Sequence, residues 1–372
     1  MSDLCIGLMS GTSLDGVDGV LVEWLPGDCH RFSVLAHCHL GFDAALADEL
    51  LALNRSGSDE LHRAALAGNA VARRYADVVA QLLARSGRAA AEVSAIGAHG
   101  QTVRHRPGQF DGTGYTLQLN NPALLAELSG IAVVADLRSR DVAAGGQGAP
   151  LVPAFHRAAF GRAGEALAVL NLGGIGNLTL LGADDAVLGF DCGPGNALLD
   201  LWVRRHRGQA FDADGRWAAS GRVHAALLAA LQSDPYFALP PPKSTGRDLF
   251  HAEWLDQHLA ALPGVASADV QASLAELSAW AAARDLQRHA PQTRELLVCG
   301  GGAFNKHLME RLALLLPGVR VCSTAECGLP PDQVEACAFA WLARAFLRRE
   351  PGNLPSVTGA RGLRVLGAFF PA

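Results

Sequence analysis

The stretch GLMSGTSLDGVD, residues 7–18, follows a short apolar segment and combines three glycines with hydroxyl and carboxylate side chains. Glycines allow a sharp turn in which backbone N–H groups face an anion. Thr12 and Ser13 add hydroxyl donors, and Asp15 supplies a carboxylate of the kind that holds a magnesium ion, directly or through water. Taken alone, the pattern is equally typical of an ordinary hairpin turn.

Two further glycine-rich stretches follow apolar segments, NLGGIGN at residues 171–177 and VCGGGAFN at residues 298–305. The first predicts a phosphate-facing hairpin, because a dinucleotide fingerprint needs a third glycine and a helix that opens at the turn. The second predicts a strand that enters three glycines and then a helix, whose N-terminus favours negative charge. No G-x-x-x-x-G-K-[ST] motif is present, so the chain is not a P-loop protein.

The chain reads as two halves with a similar beginning. Strands are predicted at 4–9, 17–24 and 32–40, and again at 166–170, 177–181 and 187–190. Each half therefore opens with three neighbouring strands whose first turn is rich in glycine. Three such turns at corresponding strand ends predict a nucleotide bound in a cleft between two related domains.

Helical periodicity and short apolar runs predict the remaining elements. Helices are expected at 44–53, 58–85, 122–129, 197–205, 223–231, 252–262, 270–290, 304–315 and 333–347. Strands are expected at 95–98, 115–119, 131–135, 295–299 and 319–322. The small-residue stretch 143–150 is either a linker or a ligand loop. Alternating strands and helices indicate an α/β protein with a largely parallel sheet in each half.

Composition agrees with an enzyme of two domains. The chain has 372 residues, half of them hydrophobic, and a net charge of −5, which does not suggest a nucleic-acid-binding protein. Its eight cysteines form no C-x-x-C pair and are expected to be reduced thiols. The start has no basic region typical of a signal peptide, and no apolar run reaches about 18 residues. We expect a cytoplasmic protein without a membrane span.

Asp191 is the best candidate for a general base. It lies in FDCGPGN, residues 190–196, where an apolar strand ends before glycines and a helix. That position lifts a carboxylate out of the sheet edge, although an aspartate there could simply cap the following helix. Phosphoryl transfer needs such a group to activate a nucleophile.

Other polar residues are candidates for ligand contacts or for purely structural roles. Arg138, beside the glycine-rich stretch 143–150, suits a carboxylate ligand because its guanidinium is planar, but clustered charges are commonly a solvated face. Glu335 is favourable in the first turn of a helix. Lys243, on a proline-rich loop, is either exposed or in contact with nucleotide phosphates.

Together, these strings resemble the anhydro-N-acetylmuramic acid kinase family, within the acetate and sugar kinase/Hsp70/actin superfamily. The resemblance covers nearly the whole chain. Its matching stretches are 7–18, 98–102, 118–122, 135–153, 170–177, 190–196, 242–247, 298–305 and 335–343.

The resemblance implies two actin/hexokinase-like (ribonuclease H-like) domains, with a nucleotide and substrate cleft between them. The first domain is expected at 1–132 together with the C-terminal tail 366–372. The second, with helical insertions, is expected at 133–365. ATP and Mg²⁺ are the implied cofactors, and a homodimer formed through the second domain is the implied assembly.

The implied reaction opens the 1,6-anhydro ring of 1,6-anhydro-N-acetylmuramic acid and phosphorylates O6, giving N-acetylmuramic acid 6-phosphate and ADP in cell-wall peptidoglycan recycling. The resemblance gives catalytic roles to Asp191 and Glu335. It places His99, Gln101 and Arg138 at the sugar, although a histidine such as His99 could instead be a hydrogen-bond partner within a turn. ATP contacts fall on Gly11, Thr12, Ser13, Leu14, Asp15, Gly16, Val17, Asp18, Gly173, Gly174, Asn177, Gly300, Gly301, Gly302 and Asn305, with Asp15 also the metal residue.

Two other functions are compatible with parts of the pattern. A simple hexose or acetate kinase of the same superfamily would use Asp191 to deprotonate a substrate hydroxyl or to hold magnesium. A non-catalytic ATP switch, like actin or an Hsp70 nucleotide domain, would hydrolyse ATP slowly without stimulation by a sugar.

Overall fold

A computed structural model describes residues 3–11, 14–25, 32–246 and 249–372. The first part of the chain contains β1 (Leu4–Met9), β2 (Gly16–Trp24), β3 (Phe32–Gly41), α1 (Ala44–Ala52), α2 (Glu60–Ser86), β4 (Ala95–Ala98), β5 (Gln101–Pro107), β6 (Gly114–Leu119), α3 (Pro122–Ser129), β7 (Val133–Ala135), α4 (Ser139–Ala143) and α5 (Val152–Phe160). The second contains β8 (Leu167–Leu172), β9 (Ile175–Leu181), β10 (Val187–Pro194), α6 (Ala197–Arg207), α7 (Arg216–Ser220), α8 (Ala225–Gln232), α9 (Ala252–Ala260), α10 (Ser267–His289), β11 (Glu295–Cys299), α11 (Lys306–Leu315) and β12 (Arg320–Ser323). The chain ends with α12 (Val334–Leu347), α13 (Pro355–Thr358) and β13 (Ala368–Phe370).

Two compact units make up the chain, residues 1–159 with 333–372 and residues 160–332. In the first unit, the strands that the structure describes form a sheet in the order β13-β7-β4-β1-β2-β3, beside the hairpin β5-β6. Strands β1, β2 and β3 are antiparallel neighbours, while β4 and β7 continue the sheet in parallel from β1.

The second unit repeats this arrangement. Its described strands form a sheet in the order β10-β9-β8-β11-β12. Strands β8, β9 and β10 are antiparallel neighbours, and β11 and β12 continue in parallel from β8. Each unit is thus an antiparallel meander extended by parallel strands from its first strand, the ribonuclease H-like topology of actin/hexokinase-like domains. The predicted fold class is confirmed.

The first sheet is covered by α12, a helix that comes from the end of the chain. A Cβ at Gly7 of β1 would lie 1.9 Å from the carbonyl oxygen of Ala336, and one at Gly97 of β4 would lie 2.0 Å from that of Phe339. Only glycine therefore permits this close approach of strand and helix backbones. The close approach joins α12 to the first unit, although residues 333–365 were expected in the second domain.

The predicted boundary at 132/133 also does not coincide with the compact units. Leu137 and Leu151, which follow that boundary, pack in one buried cluster with Ala95 of β4 and Leu342 of α12. The chain crosses into the second unit only near the end of α5. The structure thus divides at 159/160 and 332/333, and not at the limits expected from the family resemblance.

Local sequence explains where α3 begins and ends. The side chain of Asn121 accepts a hydrogen bond from Leu124 N, Pro122 occupies the first turn of α3, and Gly130 closes the helix in a left-handed conformation. These are preferred residues at the start and end of a helix. The prediction of a helix at 122–129 is confirmed.

Candidate functional site

The first glycine-rich stretch forms the turn between β1 and β2. Leu14 N donates to Gly11 O at 3.3 Å, and Gly16, with φ of 153°, would place a Cβ only 2.4 Å from Leu40 O. The turn can therefore keep this shape only with glycine at position 16. Thr12 and Ser13, both predicted to contact ATP, lie outside the described residues.

Acidic residues of this turn have different surroundings. The side chain of Asp15 is exposed at the turn, whereas Asp18 Oδ1 lies 3.0 Å from His39 Nδ1 and 3.5 Å from His37 Nε2 on the neighbouring strand. Val17 is fully buried in the apolar core, so only its backbone can face a ligand. Asp15 is thus the more exposed carboxylate of this turn.

The predicted sugar residues His99, Gln101 and Arg138 are brought together beside this turn. Gln101 Nε2 donates to Gly11 O at 3.0 Å, and His99 Nδ1 lies 3.2 Å from Ser10 O. Arg138 donates to His99 Nε2 through both Nε, at 3.1 Å, and Nη2, at 2.8 Å. The two sets of partners assign the ring proton to Nδ1.

Burial keeps this histidine neutral. Burial, with the charge of Arg138 as a second cause, lowers the pKa of His99 to about 3. Burial also lowers the pKa of Arg138 to about 10, against the opposing charges of Glu335 and Asp141. Glu335, in the first turn of α12, thus lies within electrostatic range of the guanidinium. The first unit brings together Gly11, His99, Gln101, Arg138 and Glu335.

Arg138 also contacts the glycine-rich stretch 143–150, since Nη1 donates to Gly148 O at 2.7 Å. Buried Asp141 fixes that stretch by accepting from Gly148 N at 2.8 Å, and from Asn353 and Thr358 at 2.7 and 2.8 Å. The stretch is a tethered loop within one unit, which favours the ligand-loop interpretation over a linker.

In the second unit, Gly173 and Gly174 form the predicted turn between β8 and β9. Their carbonyl groups accept from Gly195, Asn196 and Ala197, which lead into α6. Asn177 pairs with Asp191 across β9 and β10. The second glycine-rich turn is therefore adjacent to the end of the strand that carries Asp191.

The third glycine-rich stretch lies against the second. A Cβ at Gly300, whose φ is 76°, would lie 2.4 Å from Asn171 Oδ1, and one at Gly302 would lie 2.5 Å from Leu172 Cβ. Gly301 is more open, with its Cβ position 3.9 Å from Asn196 Nδ2. Asn305 caps α11 by accepting from Leu308 N at 3.0 Å. This capping bond fixes the position of the Asn305 side chain at the start of α11.

Asp191 stands at a bulge in β10, where the ladder with β9 shifts register between Asp191 and Gly193. Its side-chain Oδ2 accepts from Thr245 N at 2.9 Å, and no hydrogen bond from the described residues reaches Oδ1. Burial raises the pKa of Asp191 to about 6, while the hydrogen bond from Thr245 and the charge of Lys243 act in the opposite direction. The carboxylate can thus accept a proton near neutral pH.

Lys243 is not exposed, so that interpretation of the proline-rich loop was wrong. Its side chain is 2% exposed and its Nζ lies 2.7 Å from Asp285 Oδ2. Sequence reasoning also missed Thr245, although it belongs to the matching stretch 242–247, and Tyr236, whose hydroxyl donates to Asp191 O at 2.6 Å. Nothing local to Tyr236 or Asp285 points to Asp191, because these contacts form only through folding.

None of the described helices combines the length and apolarity that a membrane crossing needs. In the described part of the chain, no three His, Cys, Asp or Glu side chains converge as metal ligands. A magnesium ion bound partly by nucleotide phosphates and water needs only one or two protein carboxylates. Exposed Asp15 fits that requirement.

Two ribonuclease H-like units, each presenting glycine-rich strand turns, define a protein of the actin/hexokinase structural class. The family model described as anhydro-N-acetylmuramic acid kinase matches residues 3–372. The chain belongs to the anhydro-N-acetylmuramic acid kinase family.

Curated members of that family align over nearly their whole length. The protein of Variovorax paradoxus is 65% identical, with 100% of this chain and 99% of the relative covered. That of Albidiferax ferrireducens is 60% identical with 100% of both covered, and that of Cupriavidus pinatubonensis is 58% identical with 99% and 98% covered. All three are named anhydro-N-acetylmuramic acid kinase.

Proposed function

We propose that this kinase couples hydrolysis of the 1,6-anhydro ring of 1,6-anhydro-N-acetylmuramic acid to phosphorylation of O6 by ATP. The observation that carries the proposal is the placement of Asp191. One carboxylate oxygen is held by Thr245 N, no described donor occupies the other, and burial raises its pKa to about 6. A base with that pKa is suited to remove a proton from water at neutral pH.

The proposed reaction consumes one water and one ATP. Asp191 takes a proton from water, whose oxygen forms a bond to C1 as the C1–O6 bond breaks. The freed O6 bonds to the γ-phosphorus, and the bond between that phosphorus and the β–γ bridging oxygen breaks to release ADP. The product is N-acetylmuramic acid 6-phosphate, the form in which a peptidoglycan fragment would be recycled.

The nucleotide is assigned to the glycine-rich turns. The residues proposed to contact ATP are Gly11, Thr12, Ser13, Leu14, Asp15, Gly16, Val17, Asp18, Gly173, Gly174, Asn177, Gly300, Gly301, Gly302 and Asn305. Backbone N–H groups in such turns suit phosphate oxygens. Mg²⁺ at Asp15 would neutralise phosphate charge.

Substrate contacts are assigned to the cluster in the first unit. Arg138 is proposed to bind the lactyl carboxylate of the sugar, because a guanidinium forms paired hydrogen bonds with a carboxylate. His99 holds Arg138 in place, and Gln101 donates to Gly11 O of the first turn. Glu335 is proposed as a second catalytic group. We further propose a cytoplasmic homodimer that binds neither nucleic acid nor membranes.

Mass analysis of the product tests the proposal. Wild-type protein and Asp191→Asn are each incubated with ATP, magnesium and 1,6-anhydro-N-acetylmuramic acid. The expected wild-type product is heavier than the sugar by one phosphoryl group and one water, and the variant gives none.

Other outcomes separate the alternatives. A product heavier by the phosphoryl group alone identifies a simple sugar kinase. No product from a folded, ATP-binding protein, with slow ATP hydrolysis that the sugar does not stimulate, identifies an ATP switch.

A further inference from the structure

One segment of the second unit holds Asp191 through its backbone. Asp191 N donates to Lys243 O at 3.1 Å, and the hydroxyl of Tyr236 donates to Asp191 O at 2.6 Å. The carboxylate accepts from Thr245 N, two residues beyond Lys243. The position of Asp191 therefore depends on where the backbone at 243–245 is fixed.

The Lys243 side chain fixes that backbone by reaching into the interior. Its Nζ lies 2.7 Å from Oδ2 of Asp285 on α10, and both side chains are 2% exposed. The ammonium also lies 5.8 Å from the centre of the Phe190 ring and 5.0 Å from that of Tyr236. Aromatic faces at this range attract a cation.

This ion pair is poorly suited to a purely stabilising role. Beyond this contact, no hydrogen bond from the described residues reaches Nζ of Lys243 or the carboxylate of Asp285. Removing two charges from water is costly, and a buried pair replaced by apolar residues is often neutral or stabilising. The sequence has only two lysines among its 31 basic residues, and one occupies this interior position.

We propose that Lys243 and Asp285 are positioning residues. They fix the 243–245 segment and keep a positive charge near the Asp191 carboxylate. This inference rests on the proposed role of Asp191 as the base. The pair serves to keep Asp191 ionised and correctly placed inside a buried site, and not to bind substrate or nucleotide.

The charged surroundings of Asp191 set the sign of the expected effect. Lys243 lowers the pKa of Asp191 against the effect of burial. Other titratable groups facing this region are Cys192 beside Asp191, Tyr236, Asp285 on α10, and Arg284, whose Nη1 lies 3.6 Å from Asp285 Oδ1. Because Lys243 is the cation that acts on Asp191, its loss should raise the pH at which Asp191 becomes active.

The test compares pH profiles of kcat/KM for Lys243→Met and for the double variant Lys243→Met/Asp285→Leu. Lys243→Met alone leaves a buried carboxylate unpaired and is expected to unfold more readily. The double variant removes both charges and is expected to fold. The acidic limb of its kcat/KM profile should move to higher pH by about one pH unit. Its kcat should fall about tenfold or more, while KM for ATP stays within twofold.

Controls separate this inference from the proposed function. Lys306→Met removes the other lysine, which is 77% exposed, and should leave the profile unchanged. If Asp191→Asn retains activity, the role of Asp191 fails and the inference fails with it. If Asp191→Asn is inactive but the double variant keeps the wild-type acidic limb and kcat, the pair is merely structural and the inference alone is overturned.

Discussion

Asp191, the proposed base, shows how a buried carboxylate can oppose the stability of its own fold. Its native pKa of about 6 lies above the ordinary value of 3.8, because burial disfavours the ionised form. Below both values the carboxyl is protonated in the folded and the unfolded chain, and it causes no penalty. As the pH rises through about 6, the folded state must bear a buried charge, and stability is lost.

Asp191→Asn should therefore be more stable than wild type at pH 8, although we expect it to be inactive. A pKa difference of this size corresponds to about 3 kcal/mol in the free energy of unfolding. The gain should disappear near pH 4. Urea unfolding of both proteins at the two pH values measures it, and equal stability at pH 8 would contradict the assigned burial of the charge.

The proposed role of Arg138 in sugar binding depends on the shape of its guanidinium as well as on its charge. Its three nitrogen atoms donate to His99 and Gly148, which fixes the plane of the group. A lysine keeps the charge but lacks the planar set of nitrogen donors that forms these hydrogen bonds. Arg138→Lys should raise KM for the anhydro sugar about tenfold and leave KM for ATP nearly unchanged, as measured by steady-state kinetics.

Exposed Arg140, two residues further along α4, provides the matched control. Arg140→Lys should leave both KM values at the wild-type level. A change in KM for ATP that equals the change for the sugar in Arg138→Lys would argue against a role in sugar binding.

At the scale of elements, prediction from sequence succeeded where the hydrophobic pattern is bounded by turn-forming or helix-capping residues. Strands β4 and β11 and helix α3 were located to the residue. Strand β5, with the polar sequence QTVRHRP, was missed because it carries no apolar alternation. Strand β13 was missed because its three residues become a strand only by pairing with β7, far away in the sequence.

The candidate site follows the same division. The glycine-rich turns and Asp191 carry local patterns that mark them as candidates in the sequence, whereas the residues that support Asp191 carry none. Lys243 and Asp285 meet only when α10 packs beside β10, and a lysine after three prolines looks exposed in sequence. Contacts between distant elements are set by packing, which a single sequence does not display.

The close packing of β1 against α12 can be tested by a substitution at Gly7. Gly7→Ala would place a methyl group 1.9 Å from Ala336 O and 2.6 Å from Ala340 N. The backbone must shift, so we expect a loss of about 3 kcal/mol in unfolding free energy, measured by urea unfolding.

Gly68, inside α2, is the matched control for this prediction. Its Cβ position lies 3.5 Å from the nearest atoms, an ordinary contact distance. Gly68→Ala should therefore stabilise the protein by about 0.5–1 kcal/mol, because alanine favours a helix. Equal effects of the two substitutions would refute the tight contact between β1 and α12.

At the scale of the whole molecule, the two units differ in how the chain builds them. The second unit is one continuous segment, 160–332, with its own buried clusters around α10 and β8. The first unit combines 1–159 with 333–372, and its cluster around Phe339 and Leu342 needs both segments. Continuity of the chain therefore favours independent folding of the second unit only.

A fragment of residues 160–332 should fold cooperatively by itself, and a fragment of residues 1–159 should not. Thermal unfolding followed by circular dichroism measures both. Addition of a peptide covering 333–372 should increase order in the 1–159 fragment. A cooperative transition of 1–159 alone, as sharp as that of 160–332, would show that α12 is dispensable for this unit.

The return of the chain to its first unit has a consequence for biosynthesis. A ribosome completes β1–β7 early, but it supplies α12 and β13 only at the end of translation. The face of the first sheet that awaits α12 remains uncovered while the whole second unit is made, and domains that emerge complete fold first. The nascent chain should thus depend on chaperones most during elongation through 160–332, and premature termination in that interval should yield insoluble product.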